Sequence, residues 1–254
     1  MEFRRIENLP PYVFSIINGL KIEARRAGAD VVDLGFGNPD IPSPDIAVRK
    51  LAEAAHNPRN HRYSLSRGLP KLREAIAGYY KHKWDVDLDP ELEITNTIGS
   101  KEGFSHLMWV LLDHDDAAIV PSPSYPIHIY GPLFAGADLR QVPMRFLADP
   151  DQREHFADDF MDSLKTAYDV GWPKPRVLVI SFPHNPTGAI VDLAFMQRVV
   201  DFCREHDMIV VNDFAYADVG FDGHRPPSIL QAEGAKECAV ELYSMTKSFS
   251  MAGW

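Results

Sequence analysis

The sequence predicts an α/β fold, a mainly parallel sheet with helices on both faces, which is a three-layer αβα arrangement. Three observations carry that expectation. Short β-rich runs alternate with helical runs along most of the chain. The chain has 254 residues with 45% apolar content, enough to cover a sheet on both sides. The residues best suited to chemistry follow the β-rich runs, at the end of the strands where parallel sheets bind ligands.

Taken in order, residues 11–27 place Val13, Ile16, Ile17, Leu20 and Ala24 on one helical stripe, and Gly28 supplies a stop. Residues 31–45 are rich in Gly and Pro and read as an extended loop, which separates an arm (1–45) from the main body (46–254). Residues 45–55 and 69–84 are helical in pattern. β-rich runs then occur at 92–97, 117–120, 139–142, 176–182, 208–212 and 239–243. Helical stretches at 100–112, 158–168 and 193–206 lie between most of them. No internal repeat and no low-complexity tract interrupts the pattern.

Composition excludes several classes. The formal charge of −10 argues against a nucleic-acid binder, which needs a basic face. Two cysteines, Cys203 and Cys238, are too few for a disulfide framework and form no CxxC; they read as buried thiols in a reducing compartment. No apolar run approaches the roughly 18 residues of a membrane helix, and the start lacks an apolar leader segment, so the expected location is cytoplasmic. The ten histidines show no metal-ligand spacing and read as surface and packing residues, with no metal expected. Gly35-Phe-Gly37 lacks the third glycine of a dinucleotide fingerprint, and there is no Gly-x-Ser-x-Gly elbow. Arg4-Arg5 and Arg25-Arg26 read as solvated charges.

The central constellation is Asn185, Asp213, Tyr216 and Lys247, with Gly99-Ser100-Lys101 upstream, each after a predicted strand. Singly they have ordinary readings: a surface lysine, a turn or cap aspartate, a plain helix start. Their joint order and the words around them are less ordinary. Those words are Ser181-Phe-Pro-His-Asn-Pro-Thr-Gly188, Asn212-Asp-Phe-Ala-Tyr216, Ser244-Met-Thr-Lys247, Gly37-Asn-Pro-Asp40 and Tyr63-Ser-Leu-Ser-Arg-Gly68. From about residue 5 to the last residue, the chain resembles the class I/II aminotransferases, pyridoxal-phosphate (PLP) enzymes of fold type I. Leu9-Pro-Pro-Tyr-Val-Phe14, Thr97-Ile-Gly-Ser-Lys-Glu-Gly103, Pro123-Ser-Tyr-Pro-Ile-His-Ile-Tyr-Gly131 and Met251-Ala-Gly-Trp254 are most similar to the bacterial alanine (glutamate–pyruvate) branch.

The resemblance implies a cofactor, pyridoxal 5′-phosphate, and a role for each residue. Lys247 is the amine that bonds the cofactor aldehyde and then moves the substrate proton. Asp213 pairs with the pyridine nitrogen through a charge-assisted bond. Asn185 and Tyr216 hydrogen-bond the phenolic oxygen, with Asn185 also near the substrate. Ser100, Lys101 and Ser244 hold the phosphate, the first two at a helix N-terminus. Tyr125 stacks on the ring, and Tyr63 reaches the phosphate of a neighbouring subunit, which implies a homodimer. Gly37 approaches the substrate carboxylate, where a side chain would obstruct.

The implied reaction moves an amino group between an amino acid and a 2-oxo acid, with alanine and glutamate as the expected pair. Residues 1–45 would be an arm with part of a small domain, and 46–254 an incomplete PLP-binding large domain. The pattern also implies C-terminal truncation. The family's phosphate arginine would fall at position 255, and the carboxylate-clamping arginine, most of the small domain and one antiparallel strand would come later. The missing strand would lie between the first strand and 239–243, so its loss leaves two unpaired edges. These 254 residues are therefore expected neither to fold stably nor to catalyse by themselves. Two other readings share the scaffold: a C–S lyase or diaminopimelate aminotransferase, and a PLP-binding regulator domain.

Overall fold

The computed structural model describes residues 4–7, 9–35, 37, 39–144 and 155–254. They fall into two compact units, Met1–Pro42 and Ser43–Trp254. The first holds a short helix α1 (Arg4–Glu7) and α2 (Val13–Arg26), with Gly28 turning the chain out of α2 at φ +85°. Val13, Ile16 and Leu20 are all exposed. Asn38 of the Gly37–Asp40 word and Phe36 lie outside the described residues.

The second unit runs α3 (Asp45–Ala55), α4 (Pro70–Trp84), α5 (Ser100–Leu111), β1 (Ala117–Ser122), α6 (Pro126–Ala135), β2 (Asp138–Pro143), α7 (Phe156–Asp169), β3 (Pro175–Ile180), α8 (Leu193–Glu205), β4 (Ile209–Phe214), α9 (Ala235–Cys238), β5 (Ala239–Tyr243) and α10 (Met245–Ser248). The strands form one sheet in the order β2-β1-β3-β4-β5, and every pair is parallel. Strand alternation divides the core into two layers. Ile119, Leu178, Ile180 and Val210 face α7 and α8, packing with Phe160, Leu164, Phe195 and Val199. Ala118, Val120, Val177, Val179 and Val211 face the other way, against Phe104 and Met108 of α5. The near-continuous apolar β1, β3 and β4 are what a sheet covered on both faces requires. Tyr80 and Trp84 of α4 add a third cluster over Phe214 and Ala217, beyond the end of β4.

Two expectations are corrected. Residues 92–97 form no strand: Ile94 is buried, but among the described residues 94–97 joins no strand ladder, its one backbone bond to another segment being Asn96 N–H to the Arg67 carbonyl at 3.3 Å. β-propensity alone does not make a strand, because the stabilisation comes from cross-strand pairing. Residues 94–97 and β5 instead line one groove of about 610 Å³, and among the described residues β5 has a strand partner only in β4. The second correction is α6, a helix absent from the sequence reading. Its run PIHIYGPLFA is apolar all round and carries an internal Pro132, so no 3.6-residue period shows. It closes on Gly136 in the left-handed region at φ +94°, where a β-carbon would also strike the His114 ring.

Candidate active site

In a parallel sheet all strands end on the same side, and the loops leaving β1, β3, β4 and β5 emerge together. Tyr125 is the N-cap residue of α6, after β1; Asn185 follows β3; Asp213 is the penultimate residue of β4; and Lys247 lies in the α10 turn after β5.

Asp213 is the best-defined member. Its side chain is nearly buried, and Oδ2 lies 2.9 Å from Nε2 of fully buried His128. A carboxylate only accepts, so Nε2 donates to it, while Nδ1 lies 3.0 Å from the Ser124 hydroxyl. Tyr125 packs edge-on against the same imidazole, with ring centres 5.7 Å apart. Oδ1 of Asp213 is buried with no hydrogen-bond partner among the described residues. An orphaned carboxylate oxygen is costly unless a donor arrives there. His128 was among the histidines read as packing residues. Its signal was local: it stands three residues after Tyr125, on the first turn of a helix that the sequence did not reveal.

Asn185 is aimed by the tight turn His184-Asn-Pro-Thr-Gly188. Gly188 N–H donates to the His184 carbonyl at 2.7 Å, His184 N–H to the Ala189 carbonyl at 2.9 Å, and Gly188 sits at φ +71°. The Asn185 amide reaches the Tyr216 hydroxyl at 3.4 Å. Burial pushes the Tyr216 phenol above its ordinary pKa, and the charges of Asp213 and Tyr125 add to this. His184 is also buried, its Nδ1 paired with the Thr187 hydroxyl at 2.8 Å and its Nε2 unpartnered among the described residues. Burial, reinforced by His128, lowers its pKa to about 4, so the imidazole is neutral near pH 7.

Ser100 and Lys101 open α5 directly after Gly99, whose φ of +85° is a glycine conformation. The first turn of a twelve-residue helix exposes unpaired N–H groups and a partial positive charge. The turn is pinned by the Thr97 hydroxyl on the Gly99 carbonyl at 3.0 Å, and by Glu102 accepting from Ile98 N–H at 3.0 Å. The Lys101 ammonium stands 5.6 Å from the centre of the Tyr125 ring. Ser100 and Ser244 line the same groove. The Ser244 hydroxyl caps α10, accepting from Thr246 N–H at 3.2 Å. Lys247 is half-buried and makes no hydrogen bond or ion pair among the described residues.

Two predicted residues remain. Tyr63 is fully exposed. Gly37 belongs to the Met1–Pro42 unit, with open space where a β-carbon would project.

Residues 29–254 match the family model described as aminotransferase class I and II. The chain belongs to that family. Aminotransferases of this family are PLP-dependent. The chain is 47% identical to the glutamate-pyruvate aminotransferase AlaC of Escherichia coli K12, over 99% of its own length and 59% of the relative's. It is 42% identical to an LL-diaminopimelate aminotransferase of Moorella thermoacetica, over 100% of the chain and 62% of that protein. Among solved structures, apo-BacF from Bacillus subtilis superposes with a TM-score of 0.86 at 36% identity, covering 100% of this chain and 62% of that one. The chain thus spans about 60% of the length of the relatives it matches. The aminotransferase large-domain fold accounts for the αβα layers and the single parallel sheet.

The residues present fit a PLP cofactor on two local grounds. The unpartnered Asp213 Oδ1 is a waiting acceptor for a protonated ring nitrogen. The α5 N-terminus, after Gly99, offers the donors that a phosphate needs.

Proposed function

We propose that the chain is the cofactor-binding core of a PLP-dependent transaminase, which moves an amino group between an amino acid and a 2-oxo acid. The observation that carries this reading is Asp213: one carboxylate oxygen fixed by a buried histidine, the other buried and open, at the carboxyl edge of a parallel sheet. When bound, PLP supplies the electron sink that makes the substrate α-proton removable.

The residues of the chain do the rest. Asp213 would pair with the ring nitrogen, with His128 keeping the carboxylate oriented. Asn185 and Tyr216, which already meet, would share the phenolic oxygen. Ser100, Lys101 and Ser244 would take the phosphate, and Tyr125, over His128, would cover a ring face. Lys247 would hold the cofactor through its aldehyde carbon, and its amine would move the proton at the substrate α-carbon. Gly37 would leave room for the substrate carboxylate. The order is ping-pong: one amino acid leaves as its 2-oxo acid before a second 2-oxo acid collects the amino group.

We assign alanine/pyruvate and glutamate/2-oxoglutarate as the pair, because a relative at 47% identity is named for it. The relative at 42% identity supplies the competing donor, LL-diaminopimelate. The full enzyme is proposed to be a cytoplasmic homodimer, with Tyr63 reaching the partner's site. Supporting the dimer, Tyr63, Trp109 and Val110 are exposed aromatic or apolar side chains.

The test is direct. Lys247→Ala in the full-length protein should abolish the near-visible absorption band of the lysine-bound cofactor. Survival of that band unchanged would overturn the lysine assignment. Comparing single-turnover conversion with alanine, glutamate and LL-diaminopimelate decides the donor; faster conversion with diaminopimelate would replace the proposed pair.

A further inference from the structure

The lysine-bearing turn is a structural problem. α10 has only four residues, Met245–Ser248, and a single helical turn has too few hydrogen bonds to hold its own direction. Its N-terminal cap is internal, Ser244 on Thr246. Among the described residues, only one side chain of the turn bonds to another element. That side chain is Ser248, immediately after Lys247, whose hydroxyl donates to Asp218 Oδ2 at 2.6 Å.

Asp218 collects donors from both sides. Tyr243, the last residue of β5, donates to the same oxygen at 2.7 Å. The other oxygen takes the Tyr79 hydroxyl and the Lys83 ammonium, both from α4. Four donors on two carboxylate oxygens satisfy the group, and its side chain is only 14% exposed. Asp218 also lies five residues after Asp213 and two after Tyr216 in one stretch of backbone. That stretch is locked by consecutive turns, Ala217 N–H to the Phe214 carbonyl at 3.1 Å and Val219 N–H to the Tyr216 carbonyl at 3.0 Å.

We propose that Asp218 is a positioning residue that registers the Lys247 turn against the Asp213–Tyr216 segment. It would act through Ser248 and Tyr243 on either side of the lysine, while α4 holds the carboxylate from behind. One short segment then sets both the groups that hold the cofactor ring and the anchor of the amine that must meet it. This rests on the reading of Lys247 and Asp213 given above. The need for such a device follows from the strands. β4 is buried between two neighbours, whereas β5 is an edge strand whose residues are only half-buried or exposed. The turn after β5 therefore has less packing to fix it.

The experiment uses the full-length enzyme loaded with PLP, with Ser248→Ala, Asp218→Asn and Tyr79→Phe compared. Tyr79→Phe removes a donor to Asp218 from the α4 side and leaves the link to α10 in place. Misplacing a reacting group by a fraction of an ångström is expected to cost about tenfold in kcat, with KM for the 2-oxo acid within about twofold. Ser248→Ala and Asp218→Asn should both show that split. Both should also at least halve the induced circular dichroism of the cofactor band, a readout of orientation rather than stability. Tyr79→Phe should leave the dichroism and kcat within about twofold even where it lowers the melting temperature. The proposal is overturned if Ser248→Ala and Asp218→Asn keep the dichroism and kcat of the parent, or if Tyr79→Phe changes them as much. Borohydride reduction and peptide mapping of the parent separate the two levels. An adduct at Lys247 with unmoved dichroism sinks Asp218 alone, whereas an adduct elsewhere sinks the lysine reading and this proposal with it.

Discussion

Strands β4 and β5 are neighbours in register, Asp213 beside Leu242 and Phe214 beside Tyr243, yet they support their loops differently. Val210 to Phe214 of β4 are buried without exception, while no residue of β5 is fully buried. The side chains at and just after the end of β4 already have partners: Asp213 on His128, Tyr216 on Asn185. Lys247, after β5, has none among the described residues. A finished core fixes the proposed ring end of the site before any ligand arrives. The lysine end depends on a few polar anchors and on whatever covers the β5 edge.

The largest effect should come from leaving that edge open. Residues 1–254 produced alone are expected to lack a cooperative unfolding transition and transaminase activity, because among the described residues β5 pairs on one side only and leaves its other edge to the groove it shares with 94–97. Chemical denaturation followed by circular dichroism checks it. A soluble preparation that unfolds cooperatively and turns over substrate would show that the β5 edge needs no cover.

Next is Asp213→Ala, which strikes the well-supported side. Loss of a preorganised charge opposite a developing charge costs on the order of 10²–10³-fold in rate. The cofactor should stay bound, since Lys247 and the phosphate donors are untouched. Stopped-flow measurement of α-proton abstraction decides it, and a near-native rate would remove Asp213 from its assigned role.

These differences also mark what the sequence made legible. β1, β3 and β4 were readable as short, near-continuous apolar runs, and the helices α5, α7 and α8 because one buried face imposes a period. The site words were readable through their joint order and their resemblance to the class I/II aminotransferases, since Asn185, Asp213, Tyr216 and Lys247 are each ordinary when taken singly. Residues 92–97 misled because β-branched side chains signal propensity, while a strand also needs a neighbour. α6 was hidden by its uniform apolarity, and His128 was hidden with it. The anchoring by Asp218 joins residues from Tyr79 to Ser248, a separation that no local pattern encodes.

A smaller effect concerns His184, on the β3 side of the comparison. Its folded pKa of about 4 lies below the ordinary 6.5, because burial disfavours the charged ring. The unfolded chain therefore takes up a proton near pH 6.5 that the folded protein refuses until about pH 4. Stability from this group is complete above pH 6.5 and is lost as pH falls toward 4, by about 3 kcal/mol. Urea midpoints of the full-length protein across that range should fall more steeply for the parent than for His184→Asn. Parallel slopes would show that the imidazole titrates freely in the fold.

The smallest effect is reserved for Tyr216→Phe. Its hydroxyl meets Asn185 at only 3.4 Å, a weak neutral bond, and Asn185 remains to serve the phenolic oxygen. One such bond is worth about 1 kcal/mol, so kcat/KM should fall by about five- to tenfold, with cofactor still covalently bound. The absorption band should shift its pH dependence toward alkaline values, because one donor to the ionised phenolic oxygen is gone and the lysine-bound form holds its proton more tightly. If β4 supports its side of the site as rigidly as its burial implies, the dichroism of the cofactor band will not change in this variant. A large loss of dichroism would mean that the ring end, like the lysine end, is held by individual hydrogen bonds rather than by the core beneath it.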